Sequence, residues 1–227
     1  AGGVFVAAAG VEALANNQKE KTMKVLIING SPHQKGNTAV ALDEIANQLE
    51  KNGIDSEIVW IGNKAVRGCI ACGSCSRNPG KCVFDDDICN RISEKFADAD
   101  ALIVGSPVYY GQPNGAVLSV IQRAFYSTGA SIPGNPAAAV AVCRRGGATA
   151  SFETLNMPFQ MMNMPVVASQ YWNIVYGAAP GQASLDTEGL QTMRTLANNM
   201  AWLLKATGGK PAPGREDEPW KGMNFIR

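Results

Sequence analysis

The chain has 227 residues, of which 46% are apolar and 17% charged, with a formal net charge of +1. That balance suits one well-filled globular domain and excludes a disordered chain. A near-neutral surface carries no footprint for nucleic acid, and no apolar run is long enough to span a bilayer.

Residues 1–15, AGGVFVAAAGVEALA, are small and apolar, and Ala13-Leu14-Ala15 has the A-x-A form of a signal-peptidase site. The mild Gly/Ala-rich character is that of a twin-arginine export signal, with the periplasm as destination. Met23, however, opens the first strand and is itself a natural start, which leaves the bacterial cytoplasm as the default location. Residues 1–22 are therefore set aside as a signal-peptide remnant or disordered extension. The fold is read from 23–207, and the Pro-rich, polar stretch 208–227 is read as an extended C-terminal arm.

From Lys24 onward, short buried strands alternate with amphipathic helices. KVLIING (24–30) is a near-continuous apolar run and reads as a strand covered on both faces. A helix over 38–52 follows, with Leu42, Ile45, Ala46 and Leu49 on one face and Gly53 as its stop. SEIVWIG (56–62) is the second strand. Asp85-Asp86-Asp87 then precedes a helix carrying Ile88, Ile92 and Phe96, where carboxylates favour the positive helix end. ALIVGSP (101–107) is the third strand, and Val117, Ile121 and Phe125 mark the helix after it. AAAVAVC (137–143) is the fourth. Residues 148–163 are helical around Phe152, Leu155 and Phe159, with Pro158 expected to kink or break them. VVASQYW (166–172) is read as the fifth strand. Asp186 or Thr187 caps a last helix that buries Leu190, Met193, Ala197, Met200 and Leu204.

Such alternation predicts an α/β three-layer sandwich, a parallel five-stranded sheet with helices on both faces. Ligands of such sheets bind beyond the carboxyl ends of the strands, where strand order reverses. The segments there carry the chemistry. GSPHQKGNT (30–38) offers hydroxyls, backbone N–H groups and a helix N-terminus, a combination suited to a phosphate monoester. It has neither the G-x-x-x-x-G-K-[ST] nor the G-x-G-x-x-G form, so neither an NTPase loop nor a dinucleotide fingerprint is present. An ordinary helix cap at Asn37 or Thr38 would also explain it. His33, the only histidine, reaches the phosphate or stands exposed on the turn. GSPVYYGQPNG (105–115) presents aromatic rings beside exposed backbone, which suits a flat heteroaromatic ligand, or else Tyr109 and Tyr110 cover the sheet edge. CRRGGATAS (143–151) adds two glycines that let backbone approach a ligand, and Arg144 or Arg145 to compensate negative charge.

Four of the six cysteines fall within 69–82, spaced C-x2-C-x2-C-x6-C. Such tight runs of thiolates hold [4Fe–4S] clusters. Zinc sites with four thiolates more often join two separated knuckles. A loop without metal, serving as a cap or a subunit contact, is the third possibility. Cys89 reads as buried filler, and Cys143 as core at the end of the fourth strand.

The pieces MKVLIINGSPHQKGNT, CIACGSCSRNPGKCVFDDD and ALIVGSPVYYG, in that order, resemble the NADPH-dependent FMN reductase and iron–sulfur flavoprotein families, over roughly 23–207. The layout resembles the flavodoxin-like fold, with implied strand order 2-1-3-4-5. The resemblance implies an FMN-dependent NAD(P)H oxidoreductase or electron-transfer flavoprotein. Ser31, Asn37 and Thr38 would hold the FMN phosphate, with His33 beside them where these families often carry arginine. Pro107, Val108, Tyr109, Tyr110 and Gly111 would line the isoalloxazine, and Gly146 and Gly147 would flank it. Arg144 is the candidate to stabilise the reduced flavin. Cys69, Cys72, Cys75 and Cys82 would ligate the cluster. NADPH or NADH would be the donor and an unidentified protein or small molecule the acceptor. A homodimer or homotetramer is implied, with Trp220 and Phe225 of the arm available for contacts. Two alternatives stand beside this reading. One is a cluster-free flavin, quinone or azo reductase. The other is a flavodoxin-type carrier, against which the near-neutral charge argues.

Overall fold

The computed structural model describes residues 22–128, 133–214 and 222. The expected export signal over 1–15, and Trp220 and Phe225 of the arm, lie outside the described residues. Five parallel strands form the sheet: β1 (Lys24–Asn29), β2 (Asp55–Trp60), β3 (Ala101–Tyr109), β5 (Ala137–Cys143) and β6 (Ile174–Tyr176). Their order is β2-β1-β3-β5-β6, which is the expected 2-1-3-4-5 once the short antiparallel β4 (Gln112–Pro113) is counted separately. The order reverses at β1/β3, where Val25 pairs with Ala101 and Asn29 with Gly105.

Alternate side chains of each strand point to opposite faces, and both faces are dry. Val25, Ile27, Ile103 and Val140 pack on α1 (Asn37–Lys51) and α5 (Thr187–Thr207) through Leu42, Ile45, Leu49, Leu196 and Met200. Leu26, Ile28, Leu102 and Val104 pack on α2 (Cys89–Phe96), α3 (Gly115–Thr128) and α4 (Ala148–Met161) through Ile92, Phe96, Ile121, Phe125, Leu155 and Phe159. The layers come together tightly at Gly105, where a Cβ would stand 2.8 Å from Leu42 Cδ2.

Three expectations need correction. The fifth strand is not 166–172. Val166 makes only an isolated bridge to Ala137, the chain then leaves the sheet, and Tyr171 and Trp172 are exposed. Pairing resumes at Ile174, after buried Asn173, whose Nδ2 donates to Ala139 O at 3.0 Å. Apolar content misled here, because Tyr171 and Trp172 meet each other at a tilt outside the core. Secondly, Pro158 does not end α4, which continues to Met161. Only one intrahelical donor is lost, and buried Leu155 and Phe159 hold the turn on either side. Thirdly, the strand expected to stop at 107 continues to Tyr109 and folds back into β4. Tyr110 and Gly111, both at positive φ (50° and 77°), make the tight turn. The segment after Gly208-Gly209 begins by docking on the body, with Ala212 N donating to Gly134 O at 2.8 Å. Among the described residues no helix is long and apolar enough to cross a membrane.

Candidate functional site

The carboxyl ends of β1, β3, β5 and β6 open into one cavity of about 450 Å3. The β1 end contributes Ser31, His33, Lys35, Gly36, Asn37 and Thr38. Ser31 is buried, and its hydroxyl accepts from His33 N at 3.1 Å, which bends the chain around it. Trp60 Nε1 donates to Ser31 O at 2.7 Å and fixes the turn from the β2 side. No side chain caps α1 at Gly36, so the helix offers its first N–H groups to the cavity. Neither Asn37 nor Thr38 is therefore the cap. Asn37 instead bridges to the loop after β6: its Nδ2 donates to Ala179 O and its Oδ1 accepts from Ala183 N, each at 3.0 Å.

Pro107, Val108 and Tyr109 form the β3 wall, and Val142, Cys143 and Arg144 the β5 wall. Arg144 is exposed at the mouth. Burial pushes the Tyr109 hydroxyl and the Cys143 thiol above their ordinary pKa values, so both stay neutral. Tyr110, Gly111, Gly146 and Gly147 do not line the cavity. Tyr110 projects fully into solvent at the hairpin tip. Gly147, at φ +85°, presses on the hairpin, where a Cβ would stand 2.5 Å from Gly111 Cα. Sequence reasoning missed Lys35, Gly36 and the wall formed by Gly177, Ala178 and Pro180. The last three were overlooked because the fifth strand was placed too early. The signal was present: GAAPG (177–181) follows a short apolar trio, as GSP follows the first strand.

A second cavity, about 170 Å3, lies in the long loop between β2 and α2, and Cys69, Cys72, Cys75 and Cys82 all line it. Positive φ at Ala71 (52°) and Gly73 (68°) winds the chain between Cys69 and Cys75; Cys69 and Cys72 are exposed, and Cys75 and Cys82 are half-buried. Ala71 N donates to Cys69 Sγ at 3.4 Å. Cys72 Sγ donates to Ser74 Oγ at 3.4 Å, and that partner, with the Ser74 backbone, holds the Cys72 thiol below its ordinary pKa. Cys82 is anchored by its amide to Asn90 Oδ1 at 2.8 Å. All six cysteines are unpaired thiols. Four thiols around one cavity are the donor set of a four-thiolate cluster. Among the described residues no three His, Cys, Asp or Glu side chains gather closely enough for a metal ion. The four thiols line a space of about 170 Å3, room for a group larger than a single ion. Cys89 is buried beside this loop, and burial pushes its thiol up to about 12. Burial thus disfavours its thiolate, in keeping with a place in the core.

The family model for NADPH-dependent FMN reductases matches residues 23–179. The chain belongs to that family. It is therefore an FMN-dependent oxidoreductase. Among curated relatives of this reductase, an iron–sulfur flavoprotein of Methanocaldococcus jannaschii is 32% identical over 191 residues, covering 81% of this chain and 98% of that protein. An iron–sulfur flavoprotein of Methanosarcina thermophila is 29% identical, covering 81% and 96%. Among solved structures, RosB with bound 8-demethyl-8-formylriboflavin-5'-phosphate superposes with a TM-score of 0.67 at 16% identity, covering 91% of this chain and 93% of that one. An NADH:FMN oxidoreductase in apo form gives 0.57 at 16%, covering 80% and 90%. These two likenesses carry the flavodoxin-like fold.

Proposed function

We propose that this reductase carries FMN in the sheet-edge cavity and a [4Fe–4S] cluster on Cys69, Cys72, Cys75 and Cys82, and that it moves electrons from NADPH or NADH to an acceptor. The observation that carries the proposal is the convergence of four strand ends on one cavity, with four thiols lining a second one. When bound, FMN supplies hydride acceptance and release of electrons singly or in pairs, and a cluster supplies a one-electron path.

The chain's own residues bind, orient and shield. Ser31 Oγ, the first N–H groups of α1, and the Lys35 and His33 side chains surround the place suited to a phosphate. Pro107, Val108 and Tyr109 give a stiff wall for one side of a flat ring, with the Tyr109 hydroxyl neutral and no base of its own. Arg144 stands where it can offset negative charge on the ring. Tyr110, Gly111, Gly146 and Gly147 shape the rim from the hairpin and the start of α4.

Protein purified without oxygen should show flavin bands with a broad shoulder in the blue, and about four irons and four sulfides per chain. Flavin without iron in such a sample would remove the cluster from the reading. It would leave the second reading, a cluster-free flavin, quinone or azo reductase, which the lack of a close-gathered metal set among the described residues favours.

A further inference from the structure

Among the described residues, Arg123 is the only charged residue in the buried set, at 1% exposure. It sits on α3, apart from the FMN cavity, and its partner Asp87 is nearly as deeply buried. Burial alone would lower the arginine pKa, but the Asp87 carboxylate and the Cys82 sulfur hold it above the ordinary value. A buried ion pair seldom repays its desolvation, so the cation needs a reason beyond stability. Asp87 does not supply one, since it also accepts from Cys89 N at 3.0 Å and could start α2 unaided.

The reason lies in where the guanidinium N–H groups go. Besides the ion pair, Nε donates to Cys82 Sγ at 3.4 Å, Nη1 to Arg67 O at 3.3 Å and Nη2 to Phe84 O at 2.9 Å. The segment they hold, between β2 and α2, has no regular structure of its own beyond one short turn at Ser74–Ser76. A planar fork of fixed donors can tie such a loop at several points at once, where lysine cannot.

The geometry points to Arg123 as the positioning residue of the thiol cavity: it fixes Cys82, the cysteine set apart from Cys75 by six intervening residues, and directs one N–H to its sulfur. The sulfur bond matters only if the proposed cluster is present, whereas the fixing of the loop does not depend on it. Hydrogen bonds to ligand sulfur tune cluster potential, and loss of an outer partner typically costs about 10–100-fold in metal affinity.

The test uses the full chain purified without oxygen, as Arg123→Lys and as the double variant Arg123→Met/Asp87→Leu, which leaves no buried charge unpaired. FMN per chain is the folding control. In both variants FMN should stay, and iron and sulfide retained against a chelator should fall well below the parent. The midpoint potential of the remaining iron–sulfur signal should move negative while the FMN potential holds. Exchange of the Gly80 and Cys82 amides, which bond Ser127 O and Asn90 Oδ1, should quicken about tenfold. Parental iron content, potential and exchange in the variants would overturn the assignment. If the parent itself carries no iron, the cluster reading fails, and amide exchange alone decides whether Arg123 positions the loop. If Arg123→Lys does not fold, the double variant supplies the same readouts.

Discussion

Gly147 and Glu57 show how single residues bear on this molecule. Gly147 combines φ +85° with backbone of the Tyr110-Gly111 turn where its Cβ would be. Gly147→Ala should therefore cost about 1–3 kcal/mol in urea unfolding and weaken FMN binding by displacing the hairpin. An alanine variant with parental stability would mean the hairpin is loosely held. Glu57 joins two lysines: Lys24 Nζ donates to it at 2.6 Å and Lys95 Nζ closes the other side. Lys24 first, then Lys95, holds the Glu57 carboxyl below its usual pKa. A lowered folded-state value stabilises above the unfolded pKa of about 4.3, and that contribution disappears as pH falls through the folded value. All three side chains are about one-third exposed, so it amounts to no more than about 1 kcal/mol. Glu57→Gln should lose that amount at neutral pH, and the difference from the parent should shrink as pH falls below the unfolded value, as measured by urea melts along that series.

At the scale of elements, β6 is the informative one. Asn173 does the work of a missing strand residue: its side chain reaches Ala139 O, and its carbonyl accepts from Ala141 N at 3.0 Å. Pairing then lasts three residues before Gly177 N donates to Cys143 O at 2.9 Å and the chain turns into the cavity wall. Asn173→Ala should cost about 1–2 kcal/mol for the buried bond. It should also weaken FMN binding more than Tyr171→Ala, which removes only an exposed ring. Equal effects in fluorescence titrations would detach β6 from the site. The α1 start shows the same dependence on context. A sequence that reads as an Asn or Thr cap leaves the helix end uncapped, because Asn37 is drawn to Ala179 and Ala183 from far along the chain.

For the whole molecule, the cavity proposed for FMN gathers loops from four strands, so its occupant should couple to global unfolding. Anything that binds only the folded state stabilises it, by about 2.7 kcal/mol at a hundredfold excess over Kd. The melting temperature of flavin-stripped protein should rise with added FMN and keep rising with its concentration. Riboflavin, which lacks the phosphate, should give a smaller shift at equal concentration if the α1 end holds the phosphate. Equal shifts would take the phosphate away from Ser31 and Thr38.

Hydrophobic period and turn residues marked four of the five parallel strands and all five helices, because two-sided burial writes near-continuous apolar runs and amphipathic stripes into the sequence, whereas the sheet order was implied only by the resemblance to the flavodoxin-like layout. The cysteine spacing was likewise local, and seven residues suffice to bring three thiols to one cavity. What tertiary structure alone decided depends on partners distant in sequence. The edge strand β6 took its register from β5, Asn37 was claimed by the loop after β6, and the apolar pair Tyr171 and Trp172 was left in solvent. Arg123 belongs to the same class. Its spacing from Val120 and Ser127 places it on a buried helical face, but an arginine there has meaning only once Arg67, Cys82, Phe84 and Asp87 fold over it. Local patterns record which side of an element is dry, and only the assembled chain determines which polar groups must meet inside it.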